Sequence, residues 1–265
     1  MNKKFCDKCL KEVNCEYKEM VVTEILSGKQ VKYLKKYYNG DINNALKRLE
    51  MGEPVQYIVG NVDFFGYKIN VDKRVLIPRF ETEELVENTI KYIKKYFSLP
   101  VDILEVGTGS GCISITLKKE LENVNITASD ISSDALEVAL SNAKENNADI
   151  NFVNTDIYKG INKKFDCIIS NPPYISKNEK IMDIVYNNEP HLALFADNNG
   201  LYFYEEIIKN AKNILKDKYL ICFEIGESEA ESVTSYAYKY LNNPKVIVKK
   251  DLEKRDRMIF IHNFE

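Results

Sequence analysis

Val101-Asp102-Ile103-Leu104-Glu105-Val106-Gly107-Thr108-Gly109-Ser110-Gly111 is the stretch that decides the fold of this chain. Residues 101–106 are a short, mostly apolar run, the pattern of a buried strand, and from Ser110 to Leu121 the apolar spacing turns helical. Between the two, Gly107, Gly109 and Gly111 let the backbone turn sharply and approach a ligand closely. Such a ligand sits at the carboxyl edge of a sheet, facing a helix N-terminus. The spacing departs from the dinucleotide form, in which a third glycine follows two intervening residues. Glu105, at the strand end, would also repel a pyrophosphate. An acidic strand end suits a cation better, and S-adenosylmethionine carries both an ammonium and a sulfonium. Taken alone, the loop also fits a tight turn without a ligand.

Working outward, strands and helices alternate. The patterns predict a strand over 125–129, a helix over 132–147 capped by Ser132 or Ser133, and strands over 150–154 and 165–170. A helix over 200–215, a strand over 219–225 and a helix over 227–241 follow, then two terminal strands, 245–249 and 257–262. This alternation predicts an α/β fold, a parallel sheet covered by helices on both faces. Upstream, a helix is expected over 81–97. Residues 57–77 are β-rich (Tyr57-Ile58-Val59, Phe64-Phe65, 67–71 and 75–77) with Gly60 and Gly66 at turns, and read as a hairpin joining two domains. From Tyr17 to Glu50 apolar residues recur at spacings of three and four: Val21, Ile25 and Leu26, then Val31, Leu34, Tyr37 and Tyr38, then Ile42, Ala45, Leu46 and Leu49. Two or three short helices are expected there, with Asp41 as an N-cap.

The second strand of the alternating region ends at Asp130, where a carboxylate can accept hydrogen bonds from both hydroxyls of a ribose. Asp130 also fits a helix cap for the segment after it. Asp156, after the third strand, is similarly placed to meet an adenine edge, or is a solvated loop acid.

Asn171-Pro172-Pro173-Tyr174 leaves the carboxyl end of strand 165–170, the same edge as the glycine loop. Two prolines cannot extend a strand ladder. A rigid strand terminator explains the prolines but neither the Asn before them nor the Tyr after. Chemistry explains all four. An amide or aromatic-amine nitrogen is a poor nucleophile because its lone pair is delocalised. When it attacks a methyl group, positive charge grows on the NH2. Two acceptors at its hydrogens stabilise that charge and aim the lone pair. The Asn171 side-chain oxygen and the Pro172 carbonyl can be those acceptors, and Tyr174 offers an aromatic face to the planar group. The reading is methyl transfer to a planar NH2.

On these motifs the chain resembles the amino methyltransferases. Gly52-Glu53-Pro54-Val55-Gln56-Tyr57-Ile58, Phe64-Phe65-Gly66 and Val75-Leu76-Ile77-Pro78-Arg79-Phe80-Glu81-Thr82-Glu83 further resemble the linker of the release-factor glutamine methyltransferases, the PrmC/HemK family. Glu189-Pro190, Glu224-Ile225-Gly226 and Asp251 with Arg255-Asp256-Arg257 continue the likeness, which spans about residues 45 to 260. The resemblance implies a seven-stranded Rossmann-like class I methyltransferase domain (81–265), a small N-terminal helical domain (1–56) for substrate recognition, and a β-hairpin linker (57–80). It implies transfer of a methyl group from S-adenosyl-L-methionine, leaving S-adenosyl-L-homocysteine, to the glutamine of the Gly-Gly-Gln motif of peptide chain release factors. The cofactor contacts it implies are Glu105, Gly107, Thr108, Gly109, Ser110, Gly111, Asp130, Ile131, Asp156, Ile157 and Asn171. Asn171, Pro172, Pro173 and Tyr174 would hold the glutamine, with Asn171, Pro172 and Tyr174 acting in catalysis. Where the family can have an aromatic on the adenine, this chain has Ile157, an apolar contact without stacking. It also has Phe80 where the family usually has proline, a change expected to be tolerated. Arg79 is either a linker charge or a basic contact to the substrate's flank.

The composition bears on the rivals. The chain has 265 residues and a formal net charge of -3, whereas nucleic-acid binding usually shows as a basic excess. Enzymes acting on a nucleobase of DNA or RNA, the main alternative, usually must also extract the base. No stable nucleic-acid binding is expected, and an intact glycine loop argues against a non-catalytic adaptor. Apolar residues are 45% of the chain, enough for a substantial core, yet no apolar run reaches the about 18 residues of a membrane span. No signal peptide is evident in the polar first ten residues. A cytoplasmic protein is expected, with monomer the default. Cys112, Cys167 and Cys222 read as buried thiols. Cys6, Cys9 and Cys15 supply only three thiols where structural zinc wants four ligands, so ordinary thiols and no metal are expected, a site shared between chains being the alternative.

Overall fold

A computed structural model describes residues 28–265, which fall into two compact units, one ending at Gly60 and one running from Asn61 to Glu265. The readings at Val21, Ile25 and Leu26 and at Cys6, Cys9 and Cys15 lie outside the described residues.

The first unit is helical. Its elements are α1 (Gly28–Tyr37), α2 (Ile42–Glu50) and α3 (Val55–Val59). Val31, Leu34, Ala45, Leu46, Leu49, Val55 and Ile58 close into one buried cluster, as their spacing of three and four requires. Asp41 caps α2 as expected, its carboxylate accepting the Asn43 N–H at 2.9 Å. The β-rich reading of Tyr57-Ile58-Val59 is corrected, because these residues form α3. Three β-prone side chains are outweighed by their flanks. Pro54 sits at the helix start, where its missing N–H costs nothing, and Gly60 ends the helix at φ 83°.

The second unit opens with the expected hairpin, β1 (Asn61–Phe64) against β2 (Tyr67–Asn70), and continues into α4 (Phe80–Tyr96). Residues 75–77 form no strand. Phe80 is the first residue of α4 and its ring is exposed. That position favours proline in any helix, so phenylalanine there loses a local preference and no packing. The alternating region then reads β3 (Val101–Val106), α5 (Cys112–Glu120), β4 (Val124–Asp130), α6 (Ser133–Glu145), β5 (Asn151–Asn154) and β6 (Phe165–Ser170). A segment absent from the sequence reading follows: β7 (Ile175–Ser176), α7 (Asp183–Asn188), a 3-10 turn (His191–Ala193) and β8 (Phe195–Ala196), with β7 and β8 paired in parallel. The chain ends with α8 (Tyr202–Ala211), β9 (Leu215–Glu224), α9 (Ala230–Tyr240), β10 (Lys245–Lys250) and β11 (Asp256–His262).

The sheet has seven strands in the order β10-β11-β9-β6-β3-β4-β5. It departs from an all-parallel sheet in one strand: β11 runs antiparallel to both β9 and β10. The link between β10 and β11 is too short for the crossover a parallel pair needs. Leu104, Val106, Ile168, Ile221, Phe223, Ile259 and Ile261 face α8 and α9 on one side of the sheet. Their alternates Ile103, Glu105, Cys167, Ile169, Cys222 and Phe260 are buried on the other, where Tyr92 of α4 stacks on Phe260 at 4.9 Å. Both faces are therefore covered, and Cys112, Cys167 and Cys222 are buried free thiols, as expected. The chain leaves β3 toward β4 and β5 on one side and later adds β6 and β9 on the other. The gap between β3 and β6 is the switch point at which such sheets open a crevice.

Candidate active site

A cavity of about 320 Å³ opens at that switch point. Its walls include Glu105 and residues 107–110 from the glycine loop, Asp130 and Ile131, Asp156 and Ile157, and Asn171 to Pro173. Every residue expected to touch the cofactor lines it except Gly111, which sits behind the loop. Gly107 and Gly111 have φ of 73° and 82°, a region costly for side chains. A Cβ on Gly111 would press on Ala139 at 3.2 Å and Ile115 at 3.3 Å, so this glycine lets α5 approach α6. A Cβ on Gly107 would meet no atom of the described residues within 4 Å.

Glu105 is fully buried on the floor of the cavity. Its Oε2 accepts the Thr108 hydroxyl at 2.7 Å, the Ser114 N–H at 3.1 Å and the Ser114 hydroxyl. Its Oε1 is buried without a partner among the described residues. Burial pushes this carboxyl up to about 7, although the bonds from Ser114 and Thr108 pull the other way. An unmatched buried carboxylate oxygen is costly unless a donor arrives.

Asp130 latches the loop. Its two oxygens accept the Gly109 N–H and the Ser132 N–H, each at 2.9 Å. The cap of α6 is Ser132, whose hydroxyl oxygen accepts the Ala135 N–H at 3.1 Å. Each Asp130 oxygen keeps a lone pair for a further donor, and burial raises its pKa. Asp156 is ion-paired with Lys159 at 2.5 Å. Ile157 has φ 55°, a strained value for a branched residue, and its carbonyl accepts the Ser129 hydroxyl at 2.6 Å. Sequence reasoning missed Asn142. Buried on α6, it donates to the carbonyls of Ser110 and Asn70, both at 2.9 Å, and ties the hairpin to the glycine loop.

A second cavity of about 210 Å³ adjoins the first. Asn171, Pro172, Leu76, Arg79 and Ala193 line both. Tyr174 lines only the second, with Ile175, Ile181, Met182 and Val185 from the β7–α7 segment. Pro173 lines only the first. Asn171 Nδ2 donates to the Thr82 hydroxyl oxygen at 3.2 Å, and that hydroxyl donates to Glu224 Oε2 at 2.6 Å. Neither Asn171 Oδ1 nor the Pro172 carbonyl accepts a hydrogen bond from the described residues. Burial raises the Tyr174 phenol. Arg79 is a latch: its Nη2 meets buried Glu189 Oε1 at 2.5 Å, and Glu189 Oε2 accepts the Ile77 N–H at 3.1 Å. Glu189 and Glu224 stood in the sequence only as points of likeness, and their partners lie too far along the chain for spacing to show. Among the described residues no group of three His, Cys, Asp or Glu could hold a metal, and no helix is long and apolar enough to cross a membrane.

A seven-stranded sheet with one reversed strand, and a glycine loop and Asn171-Pro172-Pro173 sharing a cavity at its carboxyl edge, define a class I methyltransferase. The Methyltransferase small domain family matches residues 89–193. A release factor glutamine methyltransferase of Streptococcus pneumoniae is 40% identical over 223 residues, covering 83% of this chain and 78% of the relative. One of Lactococcus lactis is 43% identical over 222 residues, covering 83% and 81%. The fold is shared with the crystal structure of a methyltransferase from Pyrococcus furiosus, with a TM-score of 0.55, 20% identity, and 75% of this chain and 89% of that one covered. The chain belongs to the family of release factor glutamine methyltransferases.

Proposed function

We propose that this protein transfers a methyl group from S-adenosylmethionine to the side-chain amide nitrogen of the glutamine in the Gly-Gly-Gln motif of a peptide chain release factor. The observation that carries this reading is the wall shared by the two cavities. Two oxygens there, Asn171 Oδ1 and the Pro172 carbonyl, have no donor among the described residues, and an amide NH2 has two hydrogens to give.

The first cavity fits the methyl donor on its own chemistry. Glu105 Oε1 is a buried oxygen without a partner among the described residues, suited to an ammonium. Asp130 has lone pairs for ribose hydroxyls. Gly107 leaves room that any side chain would fill, and Ile131 and Ile157 offer apolar contact to a base. When bound, S-adenosylmethionine supplies an electrophilic methyl on sulfur and leaves as S-adenosylhomocysteine.

The chain's own residues orient and stabilise. Asn171 and Pro172 each accept one amide hydrogen, which aims the nitrogen lone pair into the first cavity and stabilises the charge growing there. The two prolines hold the carbonyl stiffly. Tyr174 packs on the planar amide, and Ile181, Met182 and Val185 keep water from it. The product nitrogen sheds a proton readily, so no strong base is required. The mouth of the second cavity takes the flanking glycines.

Mass analysis of the release factor's Gly-Gly-Gln peptide, with and without this enzyme and S-adenosylmethionine, tests the reading. One added methyl on the glutamine is the expected outcome. Equal labelling of a release factor whose glutamine is replaced overturns the assignment. Label on nucleic acid alone moves the acceptor to a nucleobase.

A further inference from the structure

We propose that Thr82 and Glu224 are positioning residues that decide which end of the Asn171 amide faces the second cavity. This deepens the function proposed above and rests on its acceptor role for Asn171.

The two ends of a carboxamide are nearly the same size but opposite in polarity. One accepts and the other donates. Nothing in the shape of Asn171 selects the productive end, so a partner must. That partner is the Thr82 hydroxyl, which has one proton. Glu224 Oε2 takes that proton at 2.6 Å, and an ionised carboxylate can only accept. Thr82 is left with lone pairs alone. Asn171 must therefore turn its Nδ2 toward Thr82, as the 3.2 Å contact shows, and its Oδ1 toward the cavity. The relay joins three elements: Thr82 on α4, Asn171 after β6 and Glu224 at the end of β9.

Protonation of Glu224 removes the constraint. The acid can donate to Thr82, Thr82 can donate to Asn171 Oδ1, and the amide turns over. The NH2 of Asn171 then faces the NH2 of the substrate, donor against donor. Burial pushes the Glu224 carboxyl up to about 7, so both states are accessible near neutrality. The groups facing it are Arg257 on β11, Arg79 and Glu81 at the start of α4, Tyr174, Tyr204 on α8 and Cys112 on α5. Arg257 and Arg79 favour the ionised form, and Glu81 opposes it.

The test uses the full chain with Thr82→Val, which keeps shape and removes the hydroxyl, and Thr82→Ser, which keeps the hydroxyl. Methyl transfer to a release factor is measured from about pH 6 to 9, affinity for S-adenosylmethionine is measured by calorimetry, and the Asn171 side-chain amide is followed by nitrogen NMR. Its signal is assigned by its loss in Asn171→Ala. We expect Thr82→Val to bind S-adenosylmethionine normally, to lose about 100-fold in kcat, as a small misplacement does, and to lose the rise of kcat through pH about 7. Thr82→Ser restores both. Glu105 titrates in the same range, so the difference between the two variants, and not the profile alone, carries the assignment. The Asn171 amide shows one protected proton in the wild type and in Thr82→Ser, and none in Thr82→Val. Wild-type kcat in Thr82→Val, an equal loss in Thr82→Ser, or an amide signal indifferent to Thr82 each overturns the relay. The NMR arm needs no acceptor. A wild-type protein that leaves the release factor unmethylated yet shows the Thr82-dependent amide overturns the substrate reading and supports the relay.

Discussion

Asn171 has its amide nitrogen committed to Thr82 and its oxygen uncommitted. Truncation therefore removes an acceptor from the site and little from the fold, because the side chain lies at a strand end between two cavities. We expect Asn171→Ala to melt within a few degrees of the wild type. Its methyl-transfer rate should fall by about 100- to 1000-fold, the usual size of losing one preorganised polar group. Near-normal turnover, measured with labelled S-adenosylmethionine, removes the acceptor role. Glu105 belongs to the same scale, but its energy runs the other way. Its Oε2 ties Thr108 and Ser114 together, but Oε1 is buried without a donor among the described residues and costs stability. Glu105→Gln should leave the empty protein at least as stable and weaken its affinity for S-adenosylmethionine by about tenfold or more, since a charge-assisted bond to the ammonium becomes a neutral one. Unchanged affinity by calorimetry would detach Glu105 from the ammonium.

Among elements, the loop from β3 to α5 separates packing from binding within a few residues. At Gly111 a Cβ meets both Ala139 and Ile115 and needs φ of 82°. At Gly107 the same φ penalty applies but no described residue fills the space. Gly111→Ala should therefore destabilise the fold by about 2 kcal/mol or more, a left-handed penalty plus displacement of α6. Gly107→Ala should cost only about 1 kcal/mol of stability and instead reduce affinity for S-adenosylmethionine. Thermal melts with and without the ligand distinguish the two, and equal losses of stability would refute the division. The strand and loop at 101–111 and the strand leading to Asn171 were legible because a buried strand is a local apolar run and the motifs are contiguous. The helix Val55–Val59 was not, since Pro54 and Gly60 outweigh the β preference of the residues between them. Two-residue strands such as Ile175–Ser176 carry no periodicity at all. The site was legible where one segment held it, at the glycine loop and at Asn171 to Tyr174. Thr82 with Glu224 and Arg79 with Glu189 were opaque because their meeting is a product of the sheet order, which brings together residues 142 and 110 positions apart.

For the molecule as a whole, the cost of building the site appears as an unusual dependence of stability on pH. Burial pushes Glu105, Glu224 and Glu229 from the ordinary 4.5 to about 7 each. A carboxyl with a raised pKa holds its proton more tightly folded than unfolded. Between pH 4.5 and 7 the native state thus binds more protons than the unfolded chain, and stability falls as pH rises. The contribution is whole below 4.5 and gone above 7, and for fully buried Glu105 it is on the order of 3 kcal/mol. Asp102 opposes this at lower pH. Burial would raise it, but bonds from Lys163 and Lys216 hold it at about 2, so its contribution is present above 3.8 and lost as pH falls toward 2. The ligand-free protein should accordingly be most stable near pH 4 to 4.5, where many proteins already weaken, and its Tm should decline steadily from about pH 5 to 8. S-adenosylmethionine should raise Tm more at the upper end of that range, where Glu105 is ionised and has an ammonium to meet. A Tm of the ligand-free protein that climbs from pH 5 to 8 would show that these three carboxyls are solvated in solution, and with them the floor of the site.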